Sequence, residues 1–238
     1  MRLLRISKSA LNHNFSRVGK DKIRRFAAIK EFKNVFEPVM NQVSDLRGKW
    51  RTEIFKNENP IVLELGCGKG EYSVGLGKQY PNKNFIGVDL KGNRIYIGAK
   101  EAIELNLENV VFLRTRIDFI TNFFVQDEVD EIWLTFSDPQ PKKPNKRLSS
   151  SPFMNRYRQI IKKDGIIHMK TDSDLLFEYT QEQIEEHKYN CLESTWDLYG
   201  SLTEDLDEET KALFHIKTHY EKLFTSRGHV IKYCKFKI

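Results

Sequence analysis

Ile61-Val62-Leu63-Glu64-Leu65-Gly66-Cys67-Gly68-Lys69-Gly70 is the stretch on which the reading of this chain turns. A short apolar run passes into glycines at alternate positions, the pattern of a strand entering a tight glycine turn. Working outward, residues 71–79 read as a helix stopped by Pro81. Phe85 to Val88 read as a second strand ending on Asp89. A helix over 93–105 follows, with Ile95, Ala99, Ala102 and Ile103 spaced for one buried face. Further strands are expected over 110–113, 131–136 and 165–169, with a helix over 153–162 and a last, edge strand over 230–236. Strands alternating with helices at this spacing predict a mostly parallel sheet covered on both faces. No internal repeat or low-complexity stretch is present.

The first fifty-five residues are different: basic and aromatic, with Phe15, Phe26, Phe32, Phe36, Trp50 and Phe55. They lack strand alternation, and a helix is expected over 35–47. We therefore divide the chain into a basic N-terminal extension, 1–55, that packs late or orders on a partner, and a catalytic domain, 56–238.

The net charge of +6 over 238 residues conceals strong segregation. Residues 1–56 carry fourteen Lys or Arg against five acids, and residues 138–163 carry eight against Asp138 alone. Residues 182–209 hold ten acids against Lys188, which reads as a solvated face. Clustered cations suit a polyanion, because they release counterions from phosphates. No apolar run reaches the roughly 20 residues of a membrane span, and no secretory signal is visible, so a cytoplasmic location is expected. Cys67, Cys191 and Cys234 lie too far apart for a CxxC site, and no metal is expected.

In a parallel sheet, ligands sit beyond the carboxyl ends of the strands. These strands end on the glycine loop, on Asp89, on Ser137-Asp138-Pro139 and on Lys170-Thr171-Asp172. A dinucleotide fingerprint needs a glycine at 71, where Glu71 stands, and a carboxylate opposes a pyrophosphate there. No Walker loop occurs. S-adenosylmethionine fits better: it has no phosphate, it is cationic, and its ribose hydroxyls want a carboxylate. Glu64 is expected to face its ammonium or the loop, Gly66, Gly68 and Gly70 to cradle it, and Asp89 to take both hydroxyls.

The segment Phe136-Ser137-Asp138-Pro139-Gln140-Pro141-Lys142-Lys143-Pro144-Asn145-Lys146-Arg147 resembles the tRNA (guanine-N7-)-methyltransferase family signature, approximately F-x-D-P-W-P-K-K-x-x-x-K-R-R. Lys170-Thr171-Asp172 is similar to the family's K-T-D, and Thr218-His219-Tyr220-Glu221-Lys222-Leu223-Phe224 to its T-x-Y-E-x-x-F. The resemblance runs from Ile61 to the C-terminus. It implies a class I S-adenosylmethionine-dependent methyltransferase fold, Rossmann-like, with a mostly parallel seven-stranded sheet and helices on both faces. It also implies methylation of guanine 46 (tRNA numbering) at N7 in the variable loop. Glu64, Asp89 and Asp138 match its cofactor positions, and Lys142, Asp172, Thr218, Tyr220 and Glu221 its substrate positions.

Guanine N7 has an in-plane lone pair and no proton, so methylation there needs no base. A carboxylate beside the ring can orient guanine and stabilise the cationic product, and Asp138 is the candidate; a plain Asp-Pro turn is the alternative. Asp172 is a second candidate for a guanine or ribose contact, against a helix N-cap role. Lys142, Lys143, Lys146 and Arg147 would hold the variable-loop backbone, against the reading of a solvated basic loop. Thr218 and Glu221, one turn apart, either face the cleft or form a capping pair. Trp133 and His168 read as core, and Cys67 as packing. Three departures from the family pattern stand out: Gln140 replaces Trp, the basic loop is about two residues shorter, and Arg116 stands where Asp or Asn usually faces adenine. Either Asp118 takes that role or Arg116 stacks on adenine or faces RNA. Methylation of an exocyclic base amine, a non-catalytic RNA-binding protein of this fold, and an NAD-linked oxidoreductase are the competing readings.

Overall fold

The computed structural model describes residues 21–200, 211, 214, 216, 218, 221, 223 and 225–238. Its centre is a sheet of eight strands: β1 (Val35–Phe36), β2 (Ile61–Leu65), β3 (Asn84–Asp89), β4 (Val110–Arg114), β5 (Val129–Thr135), β6 (Ile161–Thr171), β7 (Asn190–Thr195) and β8 (Lys232–Lys237). They lie in the order β1-β4-β3-β2-β5-β6-β8-β7. β8 runs antiparallel to both neighbours, and every other pairing is parallel. The order reverses between β2 and β5, so their carboxyl ends open a crevice.

Among the described residues, four helices of seven residues or more separate the strands: α1 (Glu71–Gln79), α2 (Gly92–Glu104), α3 (Ser151–Tyr157) and α4 (Asp174–Glu186). β2 is buried at every position, as a central parallel strand with both faces covered must be. One face packs Leu63, Leu65, Ile132 and Leu134 with Phe153, Tyr157, Phe177 and Trp50. The other packs Val62 and Trp133 with Tyr72, Leu76, Phe214 and Tyr233. His168 is a core residue as expected: it stacks on Trp133 at 4.0 Å, and its Nδ1 lies 2.8 Å from the Tyr233 hydroxyl. Burial pushes its pKa well below the ordinary histidine value. Among the described residues no helix is long and apolar enough to cross a membrane.

The sheet departs from the sequence reading in four places. The helix expected over 35–47 is absent. Val35 and Phe36 instead form an added strand beside β4, because Asn34 O accepts the Phe112 N–H at 2.8 Å and Pro38 disfavours helical geometry at Glu37. This strand raises the sheet from seven to eight. The helix expected over 153–162 ends at Tyr157, because Ile160 and Ile161 are buried and Val129 N–H bonds Ile160 O at 3.0 Å. The last strand is not an edge: β8 lies inside the sheet, and β7 covers it. β7 belongs to the acidic stretch, and most of its residues are exposed, so it carries little apolar pattern.

The N-terminal segment packs on the sheet. Trp50 is fully buried, donates from Nε1 to Phe123 O at 2.8 Å and stacks on Phe124 at 5.3 Å. Arg51 pairs with Asp130 at 2.6 Å.

Candidate active site at the carboxyl ends of the strands

The glycine loop folds back over β3: the Gly66 and Cys67 N–H groups both bond Val88 O, at 2.8 and 3.0 Å. All three glycines have positive φ, namely 83° at Gly66, 57° at Gly68 and 73° at Gly70. Their demands differ. A Cβ at Gly70 would stand 2.4 Å from the Phe112 ring, so this glycine lets α1 approach the sheet. A Cβ at Gly68 would meet nothing within 4 Å, so open space lies beside this glycine.

Asp89 closes the loop from the neighbouring strand. Its Oδ2 accepts the Gly68 N–H at 3.0 Å and its Oδ1 the Lys91 N–H at 2.7 Å. Each oxygen retains a lone pair, and the carboxylate is half-buried, so it can still accept a pair of hydroxyls. Glu64 is buried and turned inward: Oε2 accepts from the Ser73 N–H at 2.9 Å and hydroxyl at 2.5 Å, and Oε1 accepts from Thr135 Oγ1 at 2.6 Å. Burial pushes its pKa up to about 7, against the pull of these donors. Ser73 and Thr135 carried no sequence signal for this role. Glu71 opens α1, placing a carboxylate where a pyrophosphate would dock and counting against the dinucleotide reading.

Asp138 follows β5 on an exposed turn and accepts the Gln140 N–H at 3.0 Å. The turn is set by left-handed backbone at Phe136 (φ 49°) and Gln140 (φ 44°), and Lys170 O holds the Phe136 N–H at 2.8 Å. The expected Asp-Pro turn therefore forms, and among the described residues the second Asp138 oxygen has no bonded partner. Lys142, Lys143 and Lys146 are exposed beyond it. Arg147 is not: it is buried, lies 4.3 Å from the Tyr179 ring and donates to Pro139 O at 2.9 Å, bracing the loop from beneath.

After β4, Arg116 is exposed while the Asp118 carboxylate is part-buried, 3.3 Å from Arg116 and 3.2 Å from Lys146. Burial alone raises the Asp118 pKa, but Lys146 and Arg116 override it and hold the carboxyl below its ordinary value. Asp118 thus links the strand end to the basic loop.

Past β6, Ser173 caps α4 by accepting the Leu176 N–H at 3.2 Å, which leaves Asp172 out of the cap role. Asp172 is half-buried, and its backbone oxygen accepts Lys232 Nζ at 2.9 Å. Thr218 and Glu221 are both buried, and the Thr218 hydroxyl accepts the Glu221 N–H at 3.1 Å, a capping pair. The Glu221 carboxylate pairs with Lys170 at 2.9 Å, both side chains being 0 % exposed. Tyr220 lies outside the described residues. In the sequence Lys170 stands in a motif with no partner assigned; a lysine directly following the run Ile166-Ile167-His168-Met169 is the available signal, since a buried ammonium demands one.

Residues 58–234 match the family model described as "Putative methyltransferase". The chain is 51 % identical over 223 residues to the tRNA (guanine-N(7)-)-methyltransferase of Bacteroides fragilis (strain YCH46), spanning 92 % of this chain and 86 % of that one. It is 43 % identical over 225 residues to the enzyme of the same name from Christiangramia forsetii, covering 92 % and 98 % of the two chains. The 16S rRNA methyltransferase KamB shares the fold with a TM-score of 0.61 at 13 % identity, over 84 % of this chain and 97 % of its own. Matched by the family model over most of its length, and by these relatives nearly end to end, the chain belongs to the tRNA (guanine-N7-)-methyltransferase family.

Proposed function

We propose that this protein transfers a methyl group from S-adenosylmethionine to N7 of guanine in tRNA, at position 46 of the variable loop, in the cytoplasm. The carrying observation is one juxtaposition: Asp138 and the exposed Lys142, Lys143 and Lys146 follow β5, next in the sheet to the Gly68–Asp89 cradle. Residues 56–238 carry the chemistry, and the basic 1–55 extension adds cationic surface for RNA.

The cradle fits the cofactor: Gly68 leaves open space, and Asp89 keeps acceptor capacity for the ribose hydroxyls. Asp118 is the acceptor nearest in kind for adenine N6, and Arg116 is turned to Asp118 rather than replacing it. When bound, the cofactor would supply an electrophilic methyl group whose bond to sulfur breaks as the N7 lone pair bonds to it, the electron pair staying on sulfur to leave the thioether S-adenosylhomocysteine. Because N7 carries no proton, Asp138 needs no basicity. It accepts from the guanine N1–H and N2–H₂ edge, aims N7 and offsets the positive charge that grows on the ring. The lysines hold the neighbouring phosphates while the base leaves its stack.

The test is tRNA carrying 7-deazaguanosine at position 46. Replacing N7 with carbon should abolish transfer, whereas an exocyclic-amine methyltransferase would still modify it.

A further inference from the structure

We propose that Lys170 and Glu221 are positioning residues for methyl transfer, joined so that their ion pair sets the C-terminal segment against the strand ends bearing Asp138 and Asp172. On this account Glu221 makes no contact with tRNA. The inference rests on the functional reading above and goes beyond it, because it removes Glu221 from the RNA surface and gives Lys170 a role.

Lys170 is the joint of the site. Its backbone pairs with Thr135 of β5 and Tyr233 of β8, and its carbonyl holds the Phe136 N–H at the turn leading to Asp138. Its ammonium lies between the rings of Tyr72 and Tyr199, at 5.6 and 5.5 Å, and reaches both Glu221 oxygens, at 2.9 and 3.1 Å. The Tyr199 hydroxyl contacts the same Glu221 carboxylate and also donates to Phe214 O at 2.8 Å. One buried network therefore ties Tyr72 of α1, the end of β6, Tyr199, Phe214 and Glu221.

Such a pair is a poor source of stability but an effective specifier of geometry, since removing either partner strands the other charge out of water. A tRNA contact by Glu221 would have to uncover a fully buried carboxylate, abandon Lys170 and bring a negative charge toward phosphates. Each of these steps opposes binding.

The test is a double-mutant cycle of Lys170→Met, Glu221→Met and the pair, with kcat and KM for tRNA and for the cofactor measured below each melting temperature. A positioning role predicts that both single variants lose about tenfold or more in kcat with cofactor KM held within about twofold, while the double variant stays within about tenfold of wild type. Direct RNA contact predicts the reverse: Lys170→Met behaves as wild type, or the double variant falls more than about tenfold below wild type, and either result overturns the proposal. If the single variants do not fold, the double variant decides alone by the same threshold. Wild-type enzyme on unmodified tRNA separates the two levels, since failure to methylate it overturns the functional reading and this proposal with it.

Discussion

The Gly68 N–H donates to Asp89 Oδ2 at 3.0 Å, so the acid ending β3 forms part of the glycine loop that ends β2. Two strands adjacent in the sheet thereby share one wall of the proposed cofactor cradle. Replacing Asp89 with alanine removes the brace and the proposed ribose acceptor together. Calorimetry with S-adenosylhomocysteine should show affinity falling by at least about tenfold, since hydrogen bonds to a charged group contribute about 1.5–3 kcal/mol. Affinity for tRNA should stay within about threefold, because Asp89 is not among the groups meeting phosphate.

Gly68 and Gly70 should fail in different ways. Gly70→Ala drives a methyl group into the Phe112 ring at φ 73°, so it should destabilise the fold by about 3 kcal/mol or more in urea melts. Gly68→Ala has room and meets only the left-handed penalty, about 1–2 kcal/mol. Its larger effect should be on cofactor affinity, because the new methyl occupies the open side of the cradle. Equal losses of stability in the two variants would contradict this division.

The elements nearest the glycine turn were legible because apolar runs and glycines coincide there: β2, α1, β3 and β4 stand where pattern alone puts them. β7 was not, since Asn190 to Thr195 is largely solvent-facing and its polar sequence hides a strand fixed by pairing with β8. The short strand at Val35 was hidden for a related reason: two residues have no period, and only the Phe112–Asn34 bond reveals them. In the candidate site, residue type picks out Asp89 and Asp138 as candidates but says nothing of burial. Arg147 reads as an RNA ligand from its basic neighbours and Glu221 as a substrate residue from its motif, yet each is buried against partners distant in sequence. The anchors Ser73 and Thr135 are ordinary hydroxyls until the fold brings them to Glu64.

Glu64 should impose a pH dependence on stability. Its folded pKa is raised from 4.5 to about 7, so the folded state binds the proton more tightly than the unfolded chain. Its contribution is therefore full below about pH 4.5 and lost as pH rises through about 7. Relative to Glu64→Gln, wild type should lose about 3 kcal/mol across that interval, read from denaturant melts at several pH values. Parallel curves would contradict the burial argument.

Within the basic loop, exposed and buried cations should separate. Lys142→Ala with Lys146→Ala should weaken tRNA binding and lower the slope of log affinity against log salt by about 1–2. Arg147→Ala should leave that slope nearly unchanged and lower stability by about 2 kcal/mol through loss of the Tyr179 and Pro139 contacts.

Methyl transfer to guanine N7 beside Asp138 joins every element of the proposed site. It is tested most directly by incubating the protein with unmodified tRNA and labelled S-adenosylmethionine, then mapping the product by borohydride–aniline cleavage, which cuts selectively at N7-methylguanosine. One cleavage site is expected, at guanine 46, and it should disappear with Asp138→Ala while tRNA affinity stays within about threefold. Label incorporated without cleavage, or full cleavage by Asp138→Ala, would contradict it.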